Sequence, residues 1–294
     1  MEGNIMIEID KEKCTNCMSC LSVCSNYVYG LSDEGKEVVV QYPSHCCVCG
    51  HCIAICPVDA ISHEQLPLEG FGELRPVEIS ADSMRNLILS RRSIRNYKPD
   101  PVPDDMVEKL IEAATHAGTS SNGQAEQFIV VKDQKFLMEL EKLVVDVLWN
   151  AGLKYLGGDG LMTKLLTKKY GPDMIRQYRS YHGIIKRRRE KNEITGMIFR
   201  NASLVIIMHS LKANALGQAN CSIAIRNVEL LAQTMGLGTC WCGFLVVAAE
   251  KSRRINAFLE LEKNRQIQGA LMAGYPKYKY THMIPRKPRE IRWI

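Results

Sequence analysis

The residues of this 294-residue chain whose type and spacing most plainly imply chemistry are eight cysteines in two equal runs. Cys14, Cys17, Cys20 and Cys24 form a C-x2-C-x2-C-x3-C pattern, and Cys46, Cys49, Cys52 and Cys56 repeat it at a constant offset of 32 residues. The second run ends in Pro57 and the first in Ser25. Thiolates are soft ligands that bind zinc or iron–sulfur clusters, and in a reducing compartment a dense cysteine cluster is better read as metal-binding than as disulfides. Zinc is the rival reading, since C-x2-C pairs also make tetrahedral sites. Cys47 is the spare. His45, His51 and His63 lie close by, but the sulfur set is already complete, so they are expected at the surface.

A second group of segments carries cations, hydroxyls and amides. These are RRSIR at 91–95, TSSNGQ at 119–124, GLGTCWCGF at 236–244 and GYPK at 274–277, with Arg286 and Lys287 beyond. Each has a bland reading taken singly: a solvated basic helix end, an Asn-Gly turn, a helix stop before a strand. IIKRRREKNE at 184–193 reads first as a solvated helix face. It lacks the interleaved aromatics of a nucleic-acid stacking surface, so nucleic acid ranks last among its partners. KYLGGDG at 154–160 is too loose for a phosphate loop. No Ser/His/Asp set or carboxylate pair stands out, and no side chain is expected to act as a nucleophile.

The elements that must position these residues follow from apolar period and punctuation. Short strands are expected at Ile5–Ile9, Val38–Val40 and Ala60–Ser62, giving a first module over 1–64. Pro67, Gly70, Gly72 and Pro76 make 65–81 a linker. In the remainder, 82–294, a helix capped by Asp82 or Ser83 runs through Ile88, and another opens at Pro103 and Asp104 and stops at Gly118. Strands are expected at Phe128–Val131, Leu204–His209, the apolar run Phe244–Ala249 and Ile267–Ala273. Helical pattern fills 134–149, much of 161–192, about 220–235 and the region near 250–260. Strands and helices mix without regular βαβ alternation, which predicts α+β layers.

At 46% hydrophobic and 24% charged, the composition excludes a disordered or collagen-like chain. Residues 1–66 hold 3 Lys against 9 Asp and Glu, whereas 67–294 hold 35 Lys and Arg against 23 acids, so the parts have opposite sign. The start, MEGNIMIEIDKEKC, lacks the form of a secretory signal, and no apolar run reaches the ~18 residues of a membrane span. A cytoplasmic protein with no membrane partner is expected.

The doubled cysteine run resembles the bacterial two-cluster ferredoxin. That resemblance implies two 4Fe-4S clusters, one on Cys14, Cys17, Cys20 and Cys56, the other on Cys46, Cys49, Cys52 and Cys24. The second set of motifs, in its order over roughly 84–294, resembles the FMN-dependent nitroreductase family. By that resemblance Arg91, Arg92 and Ser93 contact flavin phosphate and ribityl oxygens, and Arg95 lies near the flavin N1/O2 edge. Thr119, Ser121, Asn122 and Gln124 form a contact loop, the backbone of Cys240, Trp241, Cys242 and Gly243 lies against the ring, and Lys277, Arg286 and Lys287 return to the phosphate. Where the family commonly has Pro before the loop's Ser and Pro-Trp after its Gln, this chain has Gly118 and Ala125-Glu126, which alters the expected pocket wall.

The resemblance implies a homodimer and an oxidoreductase that takes electrons from a low-potential donor, a ferredoxin-like protein or NAD(P)H, through both clusters to FMN. The small organic acceptor would be a nitroaromatic, quinone or other activated π-system. The competing readings are an electron-transfer flavo-iron–sulfur protein serving a protein partner, and a redox sensor.

Overall fold

The computed structural model describes residues 5–156 and 160–294. The centre of the 154–160 glycine-rich stretch, 157–159, lies outside the described residues. Two compact units are present: Met1–Glu78 together with Thr119–Gly123, and Ile79–Gly118 together with Gln124–Ile294.

The first unit is two antiparallel ribbons and two short helices. Strand β1 (Ile7–Ile9) pairs with β4 (Ile61–His63), and β2 (Tyr29–Leu31) with β3 (Val38–Val40). Helix α1 (Ser19–Val23) and helix α2 (His51–Ala54) each begin within a cysteine run. So short a unit buries little, and its core is Ile7, Val28, Tyr29, Val38, Ile53 and Ile61. Leu66 and Phe71, from the segment expected as linker, pack against that core. The φ of Gly50 is +74°, which favours glycine, and a Cβ there would press against the Phe71 ring at 3.1 Å.

The second unit is built on one antiparallel sheet in the order β5 (Gln127–Val131), β6 (Leu204–Leu211), β8 (Arg265–Gly274), β7 (Gly238–Trp241). Strand β6 is apolar along nearly its whole length because both faces are covered. Val205 and Ile207 face one core cluster, with Leu140, Val144, Leu245 and Ile255. Leu204, Ile206 and Met208 face the other, with Leu110, Cys221, Ile225 and Val228. The first face is covered by α5 (Gln134–Leu156), α9 (Gly243–Lys251) and α10 (Arg253–Phe258), the second by α4 (Asp104–Thr115) and α8 (Gly217–Thr234). Helix α3 (Ala81–Ser90) precedes α4, while α6 (Leu161–Tyr170) and α7 (Pro172–Glu190) lie between α5 and β6.

The α+β expectation holds, with two differences. The run Phe244–Ala249, expected as a strand, is the body of α9. Leu245, Ala248 and Ala249 are buried while Val247 is 44% exposed, which is helical rather than alternating burial. The cap of α3 is Ser80, not Asp82 or Ser83; its hydroxyl accepts the Ser83 N–H at 3.1 Å.

Candidate functional site

In the first unit the two cysteine runs line two cavities, and each cavity draws its fourth thiol from the other run. Cys46, Cys49 and Cys52 share a space with Cys24, and Cys47 lines it too. Cys14, Cys17 and Cys20 share another with Cys56. The crossing has a local cause. Helix α1 turns the chain between Cys20 and Cys24, and α2 does the same between Cys52 and Cys56, so the last thiol of a run leaves the loop that holds the first three. The thiols ring spaces rather than converge on a point: among the described residues no three Cys, His, Asp or Glu side chains are grouped to hold a single ion.

The backbone repeats with the sequence. Left-handed φ occurs at Asn16 and Val48, at Met18 and Gly50, and at Tyr27 and Asp59, each pair 32 residues apart. For non-glycine residues this conformation costs about 1–2 kcal/mol each, so its recurrence marks a shape the loops must hold. One result is that N–H groups point at sulfur. Val28 donates to Cys24 Sγ (3.4 Å), Ala60 to Cys56 Sγ (3.3 Å) and Val48 to Cys46 Sγ (3.3 Å). Such bonds stabilise thiolate ligands and tune cluster potential.

Burial pushes the thiols of Cys20, Cys46 and Cys52 up, while the Ser19 hydroxyl beside the exposed Cys17 brings that one down. Deprotonating the buried thiols is a cost that metal binding has to meet. His63, expected at the surface, is instead 6% exposed, with Nε2 3.5 Å from Cys46 Sγ. Its register opposite Ile7 turns it inward. Tyr29 is also buried against the first cavity, with its hydroxyl beside the Cys52 sulfur. A donor set of thiols with N–H and O–H groups turned toward the sulfurs suits a sulfide-containing cluster.

In the second unit, three of the four motif segments are stitched together at the β7 side of the sheet. Ser93 bridges Thr239, and the Ile94 N–H donates to Thr239 O at 2.9 Å. Tyr97 bridges Pro276, Lys98 N–H donates to Tyr275 O (2.8 Å) and Lys277 N–H to Asn96 O (3.0 Å). RRSIR, GLGTCWCGF and GYPK therefore meet through backbone bonds. A Cβ on Gly238 would stand 2.5 Å from the Ile94 side chain, which explains the glycine at the head of β7.

The side chains are deployed unevenly. Arg91 Nη1 donates to Glu229 Oε1 (3.1 Å), and Arg226 Nη1 donates to Glu229 Oε2 (3.2 Å), around a carboxylate that is 5% exposed. Arg92 holds the carbonyls of Leu89, Arg91 and His282, with its Nε buried and unpartnered among the described residues. Arg95 donates to Ser93 O (3.4 Å). The Cys240 thiol is pushed up by burial, with Arg95 and Ser93 acting in the opposite sense, and burial pushes Cys242 up to about 12. Both are therefore protonated packing residues at neutral pH, and what they can offer a ligand is backbone. Trp241 between them is 39% exposed, and Gly243 begins α9. Arg286 and Lys287 lie in an exposed terminal segment without regular structure.

Thr119–Gly123 is grouped with the first unit, where Asn122 Nδ2 donates to the carbonyls of Cys47 (3.3 Å) and Val48 (2.9 Å). Ser121, Asn122 and Gln124 all have positive φ.

The nitroreductase family model matches residues 88–275, well over half the chain. The chain belongs to the nitroreductase family. A 4Fe-4S dicluster domain matches residues 13–60 in addition. This nitroreductase-family oxidoreductase is 24% identical, over 193 residues, to an Archaeoglobus fulgidus protein provisionally named an NADH dehydrogenase/NAD(P)H nitroreductase; the match covers 65% of this chain and 84% of that one. It is 23% identical over 197 residues to an NADPH-dependent oxidoreductase of Staphylococcus saprophyticus, covering 67% of this chain but 66% of that protein. Among solved structures it shares the fold of nitroreductases with bound FMN from Bacteroides fragilis (TM-score 0.53, 19% identity, 72% of this chain and 98% of that one) and Desulfitobacterium hafniense (TM-score 0.52, 19% identity, 71% and 98%). The family's cofactor is FMN, and the dicluster domain's are two 4Fe-4S clusters.

Three functional candidates escaped the sequence reading. His63 and Tyr29 sit in three-residue strands, too short for alternation to reveal a face. Glu229 lies inside a helical pattern among Ile225, Val228 and Ala232; its place on the apolar face was the available signal.

Proposed function

We propose that this chain passes single electrons from a low-potential donor through two 4Fe-4S clusters to FMN, where a small organic acceptor is reduced. Bound FMN would supply the link between one-electron carriers and two-electron reduction of an activated π-system such as a nitroaromatic or quinone. The observation carrying this reading is the joint presence, in one chain, of two thiol-ringed cavities and a nitroreductase unit whose motif segments are stitched together.

The protein's part is binding and electrostatics. Ser93, Arg95 and the backbone of Cys240–Gly243 would hold the flavin, with Lys277 close by in the same stitched set. The cation of Arg95 would favour negative charge on the reduced ring. Glu229 fixes one end of the Arg91 guanidinium, leaving the remainder of its donor fork for phosphate. The Asn122 amide, committed to the Cys47 and Val48 carbonyls, serves the cysteine loop instead. A homodimer is supported by apolar side chains left at the surface, including Ile223 (47% exposed) and Trp293 (89%). Among the described residues, no helix is long and apolar enough to cross a membrane.

Replacing Ser93 and Arg95 together by Ala should lower FMN retention on gel filtration at least about tenfold, the loss of one or two charge-assisted bonds, with iron content unchanged. Equal retention would remove these residues from the site. The electron route is tested in the full chain, because Thr119–Gly123 is built into the first unit and a truncated chain would strip it of its partners. In anaerobic stopped flow, a reduced ferredoxin should reduce the flavin at least about tenfold more slowly in Cys49→Ala than in the parent, with FMN content equal. Equal rates would show that electrons bypass the clusters. Rapid flavin reduction without turnover of any small acceptor would instead favour delivery to a protein partner.

A further inference from the structure

The 32-residue repeat makes the two cavities comparable position by position, and the comparison exposes an asymmetry. Tyr29, beside Cys24, Cys46, Cys49 and Cys52, corresponds to Ile61, which lines the other cavity. His63 corresponds to Leu31. Each is the last residue of its strand and stands opposite the first residue of its partner, His63 opposite Ile7 in β4–β1 and Leu31 opposite Val38 in β2–β3. Yet His63 lines its cavity and is 6% exposed, whereas Leu31 is 45% exposed and lies outside the residues that line the other.

The tautomer of His63 follows from its partners. The Gln65 N–H donates to Nδ1 at 3.1 Å, so Nδ1 is the acceptor and the proton of the neutral ring sits on Nε2. Nε2–H is then the group 3.5 Å from Cys46 Sγ, and it donates to sulfur. The Tyr29 hydroxyl is buried beside the Cys52 sulfur, with which it pairs. On this side, then, sulfur faces the N–H groups of Val28 and Val48, an imidazole N–H and a phenol. On the other side it faces the N–H groups of Ala60, Ser19 and Leu21 and the hydroxyls of Thr15 and Ser19, the last exposed and 3.4 Å from Cys17 Sγ, with no imidazole or phenol among them.

We propose that His63 and Tyr29 are potential-setting residues that make the cluster held by Cys24, Cys46, Cys49 and Cys52 the easier of the two to reduce, so that the electron shared by the pair rests there. The physical basis is that the reduced cluster carries one more negative charge than the oxidised one, and donors to its sulfurs stabilise that form more. The argument rests on the cavities holding clusters, and the test separates the two ideas through iron content.

The experiment is an EPR-monitored anaerobic redox titration of the full chain in two backgrounds. Cys56→Ala should leave the cluster beside His63, and Cys24→Ala the other. In the first background, His63→Leu is expected to shift the reduced-to-oxidised ratio at fixed potential about tenfold toward oxidised, equivalent to about 59 mV for one electron, and Tyr29→Phe should act in the same direction. His63→Gln, which keeps a donor, should recover most of the shift. In the second background neither change should move the potential. Where His63→Leu lowers iron loading, Tyr29→Phe, which preserves the ring, carries the test. An unchanged potential in the first background, or equal shifts in both, overturns the proposal; a parent chain without iron would overturn the cluster reading itself.

Discussion

Replacing Cys56 by Ala is expected to remove the cluster at Cys14, Cys17 and Cys20 and to spare the one at Cys46, Cys49 and Cys52, although Cys56 belongs to the second run. The reason is the crossing, in which Cys56 lines the cavity of the first three thiols and Cys24 that of the second three. A count of iron in the single variant, falling from about eight to about four per chain, cannot by itself distinguish crossed from uncrossed ligation. Pairs of replacements can. With crossed ligands, Cys49→Ala with Cys56→Ala damages both clusters, whereas Cys17→Ala with Cys56→Ala damages one and leaves about four iron. Uncrossed ligation gives the opposite result for each pair. Iron and acid-labile sulfide on anaerobically purified protein decide between them, and stoichiometric zinc without sulfide would reject both.

The two thiol runs were legible because ligand spacing is local: a thiol every third residue followed by one helical step is written in the chain itself, whereas the crossing was an expectation carried by the ferredoxin resemblance alone. The helix α8 was legible for a similar reason, since Cys221, Ala224, Ile225, Val228 and Ala232 repeat at helical spacing before Gly236, which has φ +76°. What failed to show was whatever depends on a neighbour remote in sequence. His63 is turned inward by pairing with Ile7, 56 residues away. Phe244–Ala249 looks like a buried strand because a continuous apolar run carries no period; covered by the sheet and by α5, it takes up a helix. The loop 119–124 resembles a flavin contact in its sequence, yet the Asn122 amide is spent on two carbonyls of the second cysteine run. Residue types there indicated hydrogen bonding without indicating to what.

The same blindness hid the residue whose loss should damage the second unit most. Glu141, in the middle of α5, reads as one more solvated charge on a helical surface, but it is 3% exposed. Its Oε2 accepts the Gly196 N–H at 2.7 Å, and its Oε1 accepts those of Ile198 (2.5 Å) and Phe199 (3.1 Å). These N–H groups belong to the turn between α7 and β6, which contains left-handed residues at Gly196, Arg200 and Asn201 and buries Met197, Ile198 and Phe199 in the core. No strand or helix satisfies that backbone, so the carboxylate does, through three charge-assisted bonds. Glu141→Ala should therefore strand up to three buried donors and open a cavity, a loss of roughly 3–5 kcal/mol. For a unit of this size that lowers the thermal midpoint by roughly 10 °C, read from FMN release or near-UV circular dichroism. Glu141→Gln, with one carbonyl oxygen in place of two carboxylate oxygens and an amide N–H facing a donor, should fall between the parent and Ala. Because the turn launches β6, one of the two central strands of the sheet, the damage should reach flavin retention while leaving the iron content of the first unit near that of the parent. A midpoint within about 2 °C of the parent for Glu141→Ala would mean that the turn is held by its apolar residues alone and that the carboxylate is dispensable.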